Sequence, residues 1–323
     1  MATGIISVGL ADDGRLLLSR CLLALAVAAF VALLALNAWR FAAFRGELVH
    51  DFTHPLRGFG FYTFVAAADV IAARVAGDHP ALALVLLLVA ATCWLLRGYA
   101  VPWTTRLGAG ERPIITAANG TWFMWAVGGQ SVAVAAGVLA AVRPWRFLPA
   151  LAVCAWCLGV FLYAVDGVFV AMRLLAYDFG PEDLTPPYWV AMGAAAITAL
   201  AGAQLMLLPG GPLLADAGAA IRGGSLFAWV LATWLMPALF AMGWWRHVTH
   251  RVSLTYDANL WSIVFPLGMY AVASTRLGTA EHLPLLDRIG HDWIWVALAA
   301  WTLTLLAGLV HVVRLLRPDE PAA

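Results

Sequence analysis

NLWSIVFPLGMYAVASTRLG, residues 259–278, is an apolar run long enough to cross most of a bilayer, with Phe265, Pro266 and Gly268 close together near its middle. Proline removes a backbone donor and clashes with the preceding turn, and a nearby glycine weakens the helix further, so this stretch predicts a bend with Phe265 at it. In hydrocarbon a freed carbonyl has no partner. A bent helix is therefore tolerated only where protein or a water-filled cavity surrounds it, and the segment is expected to line an internal space.

The rest of the chain agrees with a membrane setting. Hydrophobic residues make up 63% and charged residues 11%, and the mean hydropathy is +0.86, which excludes an ordinary soluble domain. A chain of 323 residues leaves room for roughly ten spans and no sizeable soluble part, so residues 1–323 are read as one all-α integral membrane domain. Every cationic side chain among the 19 is arginine, set against 18 acids, and no basic face for nucleic acid is implied. Cys21, Cys93, Cys154 and Cys157 fall in or beside apolar spans, where cysteine acts as a small hydrophobe. The spacing of Cys154 and Cys157 supplies neither a redox loop nor a full zinc ligand set.

In chain order, a short apolar start (residues 1–11) is followed by spans at about 16–39, 55–75, 81–96, 117–142, 148–175, 188–208, 225–245, 259–278 and 293–313. Residues 40–51 read as a polar connection, and residues 209–224, PGGPLLADAGAAIRGG, as a flexible one. Tryptophans such as Trp39, Trp103, Trp145, Trp189, Trp244 and Trp293 stand near span ends, as interfacial anchors do. Arginines in the connections, including Arg106, Arg112 and Arg317, weakly favour both termini in the cytoplasm.

Glycine separates the spans into two sets. Odd spans hold Gly4, Gly58, Gly60, Gly120, Gly128, Gly129, Gly137, Gly193, Gly202 and Gly268, whereas even spans hold only Gly159, Gly167, Gly243 and Gly308. Small residues permit close backbone approach, so the odd helices are expected to form an inner set and the bulkier even helices a lipid-facing ring. Such alternation implies repeated helical hairpins about one axis. The plainer alternative is tight helix packing with no lumen.

Five stretches resemble one family: MATGIISVGL at the start, His54-Pro55, NGTWFMWAVGGQSVAV (residues 119–134), PPYWVAMGAAAITALAG (residues 186–202) and WSIVFPLGMYAVAS (residues 261–274). The chain is similar to the tellurite-resistance/dicarboxylate transporters, which include plant slow anion channels, fungal malate carriers and yeast sulfite efflux pumps. The resemblance implies five helical hairpins around a central pore in each protomer, a homotrimer in the plasma membrane, and no cofactor. It also implies that a phenylalanine of the ninth helix occludes the pore, and Phe265 is the residue that matches it. Tellurite resistance is a family label, and nothing in these residues recognises tellurium. In the family the first motif lies well inside the first helix, whereas here it is the start of the chain. Eleven helical residues span about 16 Å, roughly half of the hydrocarbon core. Either the true start lies upstream, which we favour, or the cytoplasmic half of a pore-lining helix has been lost.

An anion path requires weak sites, which helix N-termini and hydroxyls such as Thr3, Ser7, Thr63 and Thr121 can supply. Gly4, Gly128, Gly193, Pro266 and Gly268 are the further candidates for pore lining or helix breaks. Asp69 and Asp166 lie inside spans, where an acid is costly, and are candidates for proton coupling. The plain alternative for Asp69 is a partner in Arg74 or an interfacial water, and for Asp166 a local ion pair with Arg173. For Phe265 it is an ordinary packed aromatic. The pairs His50/His54 and His247/His250 carry the remaining alternative, a membrane-bound redox enzyme, against a reading as solvated interfacial side chains. The expected substrates are small anions, including inorganic anions, dicarboxylates and oxyanions such as sulfite. A proton-coupled exporter is the alternative within transport.

Overall fold

The protein is described by a computed structural model covering residues 1–54, 56–107, 114–143, 145–209 and 212–316, with backbone alone at 102–107, 114 and 212–213. The expectations resting on Pro55, Arg112 and Arg317, and on the side chains of Trp103 and Arg106, lie outside the described residues. Eleven α-helices are described: α1 (Ala2–Asp12), α2 (Leu16–Ala43), α3 (Arg45–Thr53), α4 (Tyr62–Val75), α5 (Pro80–Leu107), α6 (Met124–Val142), α7 (Phe147–Ala176), α8 (Trp189–Met206), α9 (Pro212–Trp244), α10 (Trp261–Glu281) and α11 (Pro284–Leu316). Among the described residues nine helical segments are long and apolar enough to cross a membrane, and α1 is a shorter apolar helix.

Helices pair as hairpins α1/α2, α4/α5, α6/α7, α8/α9 and α10/α11. The first arms also touch in sequence, α1 to α4 to α6 to α8 to α10, and α10 returns to α1, closing a ring of five. Burial follows the same division. The spans built on α4, α6, α8 and α10 bury 61, 67, 89 and 67% of their most apolar windows inside the protein. Those built on α2, α5, α7, α9 and α11 bury 11, 33, 39, 22 and 11%. Leucine-rich outer helices are content in lipid, which is as apolar as they are, so only the inner set must find protein partners.

The ring closes because each seam has a glycine where the backbones approach. A Cβ would stand 2.8 Å from Val70 Cγ1 if built on Gly4 (α1 to α4), and 3.2 Å from Tyr62 Cδ1 on Gly128 (α6 to α4). On Gly137 it would lie 2.8 Å from Gln204 Cγ (α6 to α8), on Gly193 2.8 Å from Pro266 Cγ (α8 to α10), and on Gly268 2.9 Å from Ile5 Cγ2 (α10 to α1). Such separations leave no room for a methyl group. Gly4, Gly128, Gly193 and Gly268 are therefore seam residues, and the expectation that they line a pore or break helices is corrected.

Three other sequence expectations change. The helix α10 runs unbroken through Pro266 and Gly268. Pro266 is the sixth residue of α10, and its missing N–H deprives only the Ser262 carbonyl of its usual donor. Part of the polar connection at 40–51 is helical: α2 continues to Ala43, and α3 follows it directly. The described part of the 209–224 connection, from Pro212, is the first three turns of α9, because the alanines at 215, 217, 219 and 220 favour helix enough to carry Gly218, Gly223 and Gly224.

The seam account predicts that Gly193→Val costs about 1–3 kcal/mol through overpacking against the rigid Pro266 ring. Gly243, on the outer helix α9, has nothing within 4 Å of an added Cβ. Thermal unfolding in detergent should therefore show a clearly lowered midpoint for Gly193→Val and a small change for Gly243→Val. Equal midpoints for the two variants would contradict the role of the seam.

Candidate functional site: the lumen of the inner ring

Four inner helices begin alike, each with a tight 3-10 turn ahead of the α-helix: Gly58–Phe61 before α4, Gly120–Phe123 before α6, Pro186–Tyr188 before α8 and Ala258–Leu260 before α10. Two of these starts are capped by side chains. Asn119 Oδ1 accepts from the backbone N–H of Thr121 at 2.8 Å, and Asp257 Oδ1 accepts from that of Asn259 at 3.0 Å. The starts face a common recess of about 940 Å³, lined among others by Thr63, Thr121, Thr185, Pro187 and Asn259. Parallel inner helices thus turn their positive dipole ends toward one vestibule.

Charge at this vestibule is organised around Asp51 of α3. Its carboxylate accepts from Arg57 Nη1 at 2.8 Å and from Arg40 of α2. The Arg57 and Arg40 guanidinium groups hold the Asp51 carboxyl below the usual carboxylate range. A third arginine, Arg97 of α5, lies over the Phe52 ring at 3.9 Å. Arg40, Arg57, Arg97 and Asp51 all line the recess, so guanidinium groups outnumber carboxylates there by three to one.

A second space of about 190 Å³ lies farther along the same axis and draws on every inner helix. Its polar lining is Asp12 of α1, Asp69 and Arg74 of α4, Ser131 of α6, Gln204 of α8 and Arg276 of α10. Asp12 and Arg276 form a two-point pair, Nε to Oδ2 at 3.0 Å and Nη2 to Oδ1 at 2.6 Å, which ties α1 to α10. Between the two spaces the inner helices are buried, at Ala66 and Ala68 on α4, Val127 on α6, Met192 on α8 and Phe265 on α10.

Helical phase fixes where Phe265 stands. Met269, Val272 and Arg276 line the cavity, and Phe265 precedes them by 4, 7 and 11 residues on the same face of α10. It lies about 6 Å along the axis from Met269, and is fully buried. Neither space has Phe265 in its wall.

The other candidates divide. Thr63 and Thr121 line the vestibule, with their hydroxyls donated to the Gly60 carbonyl at 2.7 Å and to Asn119 Oδ1 at 2.6 Å. Thr3 and Ser7 do not face the lumen, a correction to their expected role. Thr3 Oγ1 accepts from Trp301 Nε1 of α11 at 3.0 Å, and Ser7 donates to the Ser19 carbonyl of α2 at 2.7 Å while Ser19 donates back at 2.6 Å. These hydroxyls satisfy contacts between α1 and the outer helices.

Neither local ion pair forms. Arg74 turns to Ser19 Oγ, at 3.0 Å from Nη2, and both oxygens of Asp69 are buried without a hydrogen-bond partner. The two stand five residues apart on α4, whereas side-chain pairs meet at three or four. Arg173 donates to the carbonyls of Thr116 and Asp178, leaving Asp166 buried on α7 with one oxygen unpartnered. Asp166 belongs to an outer helix and lines neither space.

The histidine pairs serve local structure. His54 Nδ1 accepts from the backbone N–H of Leu56 at 3.1 Å, and Nδ1 of His247 and of His250 lie against the Val252 and Trp245 carbonyls at 2.8 and 3.0 Å. Sequence reasoning missed Asp12, Arg276 and Gln204. All three lie at or near helix ends, and only the ring geometry turns them to one axis.

A sequence profile of the SLAC1 family, described as voltage-dependent anion channel, matches residues 1–309. This chain belongs to the SLAC1 family. That bears out the resemblance carried by the five sequence motifs, and the all-helical multi-span fold with it. An uncharacterized membrane protein of Mycobacterium tuberculosis, found in strains CDC 1551 and H37Rv, is 51% identical over 153 residues, 47% of this chain and 78% of that protein. An uncharacterized transporter of Methanocaldococcus jannaschii is 24% identical over 153 residues, 47% of this chain and 43% of that protein. Family membership points to a membrane channel or transporter rather than an enzyme.

The Asp51 cluster yields a prediction with a definite sign. A carboxyl held below its ordinary value stabilises the fold above that ordinary value, near pH 4, and loses this only as pH falls through the lower folded-state value. Hydrogen exchange should therefore show α3 protected at about pH 5 in the wild type and exposed at the same pH in Asp51→Asn. Equal protection of α3 in both would refute the coupling.

Proposed function

We propose that residues 1–323 form one transport domain that passes small anions along the axis of the inner ring, with Phe265 as the occluding residue. The observation that carries this reading is the position of Phe265. It is fully buried between a vestibule and a cavity, on the face of α10 that continues into the cavity wall. A ring blocked by an apolar side chain gates by excluding water and returns to conduction when that side chain moves. The three arginines of the vestibule and the converging helix N-termini favour anions over cations without a fixed tight site.

In this reading the protein is a multi-pass protein of the plasma membrane with both termini cytoplasmic, embedded in lipid. By the family resemblance it assembles as a homotrimer with one lumen in each protomer. Inorganic anions, dicarboxylates and oxyanions such as sulfite are the substrates to compare. A proton-coupled exporter is the second reading, favoured by one observation, the unpartnered Asp69 carboxyl in the cavity. Asp166 supports it less, because it lies on the outer helix α7 away from both spaces.

Flux measured in proteoliposomes with chloride, nitrate, malate and sulfite tests the occlusion. Phe265→Ala is expected to raise flux at least tenfold over wild type, and Phe265→Trp to leave it low. A correctly folded Phe265→Ala protein with unchanged flux would remove Phe265 from the gate.

A further inference from the structure

We propose that the cavity of the inner ring is a binding site for one small monovalent anion, and that this anion binds together with a proton carried by Asp69. The inference rests on the reading of the lumen as an anion path and names the site within it.

Four charged side chains face the cavity: Asp12 from α1, Asp69 and Arg74 from α4, and Arg276 from α10. Asp12 and Arg276 neutralise each other in their two-point pair. Arg74 has a neutral partner, Ser19 Oγ, and no carboxylate within ion-pair distance among the described residues. Asp69 is 1% exposed, and neither of its oxygens has a partner. The site thus holds one cation, Arg74, that acts on Asp12 without pairing with it directly, and one carboxyl without a hydrogen bond, both facing the same space.

Charge then decides what the cavity holds. With Asp69 ionised, two guanidinium groups face two carboxylates, and the space is neutral overall. With Asp69 protonated, one positive charge is left over, located at Arg74. A single negative charge entering from the vestibule restores neutrality, so the anion and the proton favour each other's binding by the same free energy. A divalent anion would leave one charge unmatched in a buried space, which is costly. About 190 Å³ accommodates a small anion with part of its water, since each water needs about 30 Å³. Gln204 and Ser131 complete the polar lining. Ser131 donates its proton to the Val127 carbonyl at 2.8 Å, so the Gln204 amide is the neutral donor of the lining.

Other titratable groups near α4 are turned elsewhere. The outer helix α2 brings the Ser19 hydroxyl, α5 holds Arg97 against Phe52 at the vestibule end, and α6 and α8 bring no charge to the cavity. Asp13 and His291 meet each other at 2.8 Å past the end of α1 and do not line the space.

Nitrate is a suitable probe because it does not titrate near neutral pH. Its binding to the purified full chain in detergent can be followed by calorimetry between about pH 5 and about pH 8, a range that brackets carboxyl and histidine titration. Wild-type affinity is expected to fall as pH rises, by up to about tenfold per unit where Asp69 loses its proton. Asp69→Asn should bind at every pH with the affinity that wild type shows at low pH. Asp69→Glu, which keeps a titrating carboxyl, should retain a slope. Absent or pH-independent binding in wild type, or a slope unchanged in Asp69→Asn, overturns the proposal. Nitrate flux measured in parallel separates the two readings. Flux without pH-linked binding sinks this site and leaves the pore. Binding with the expected slope but without flux keeps the site and sinks the pore.

Discussion

Close backbone approach at five seams is the constraint on which the molecule depends. Lipid gives α4, α6, α8 and α10 no hydrophobic reason to associate, so the inner ring is held by dispersion between surfaces that fit and by a few interhelical hydrogen bonds. One such bond is Trp156 Nε1 to the Thr198 carbonyl at 3.1 Å, and another is Trp229 Nε1 to Ser274 Oγ at 2.8 Å. Each runs from an outer helix to an inner one. The outer arms thus keep the hairpins upright while the glycines let the inner arms meet. At each seam an added Cβ would meet a neighbouring side chain at 2.8–3.2 Å, closest to rigid structure at Gly193, where it meets the Pro266 ring.

Closure has an electrical consequence. Once α1 returns to α10, polar side chains on five different helices share an enclosed axis in which charges interact far more strongly than in water. The chain contains few such charges and uses them unevenly. At the vestibule three arginines stand with one carboxylate, and Arg40 and Arg57 remain partly open to water. At the inner cavity, charge is balanced, and one buried carboxyl is left without a partner. Between these two environments the inner helices are buried, Phe265 among their side chains.

The short first helix shows how packing and electrostatics meet. α1 is held by Ser7 and Ser19 exchanging hydrogen bonds with α2, by Trp301 on Thr3, and by Asp12 and Asp13 at its end reaching Arg276 and His291. Polar side chains that look pore-facing in a one-dimensional reading thus fasten α1 to its neighbours. The lumen side of α1 is left to Ile5, Val8 and Asp12.

The hairpin repeat and the separation into inner and outer helices were legible in the sequence. Each follows from local composition or from spacing along one helix. A leucine-rich helix is at ease in lipid wherever it packs, and a glycine-rich one is not. What only the tertiary structure decided is the rotation of each helix about its own axis and the partner each polar group finds. Thr3 and Ser7 turned outward, Arg74 chose Ser19 over Asp69, and Pro266 became a packing surface for Gly193 instead of a break. These outcomes depend on residues up to about 300 positions apart, as with Trp301 and Thr3 at a separation of 298. A sequence window carries the period of a helix but not its phase relative to neighbours, which is set only when the ring closes.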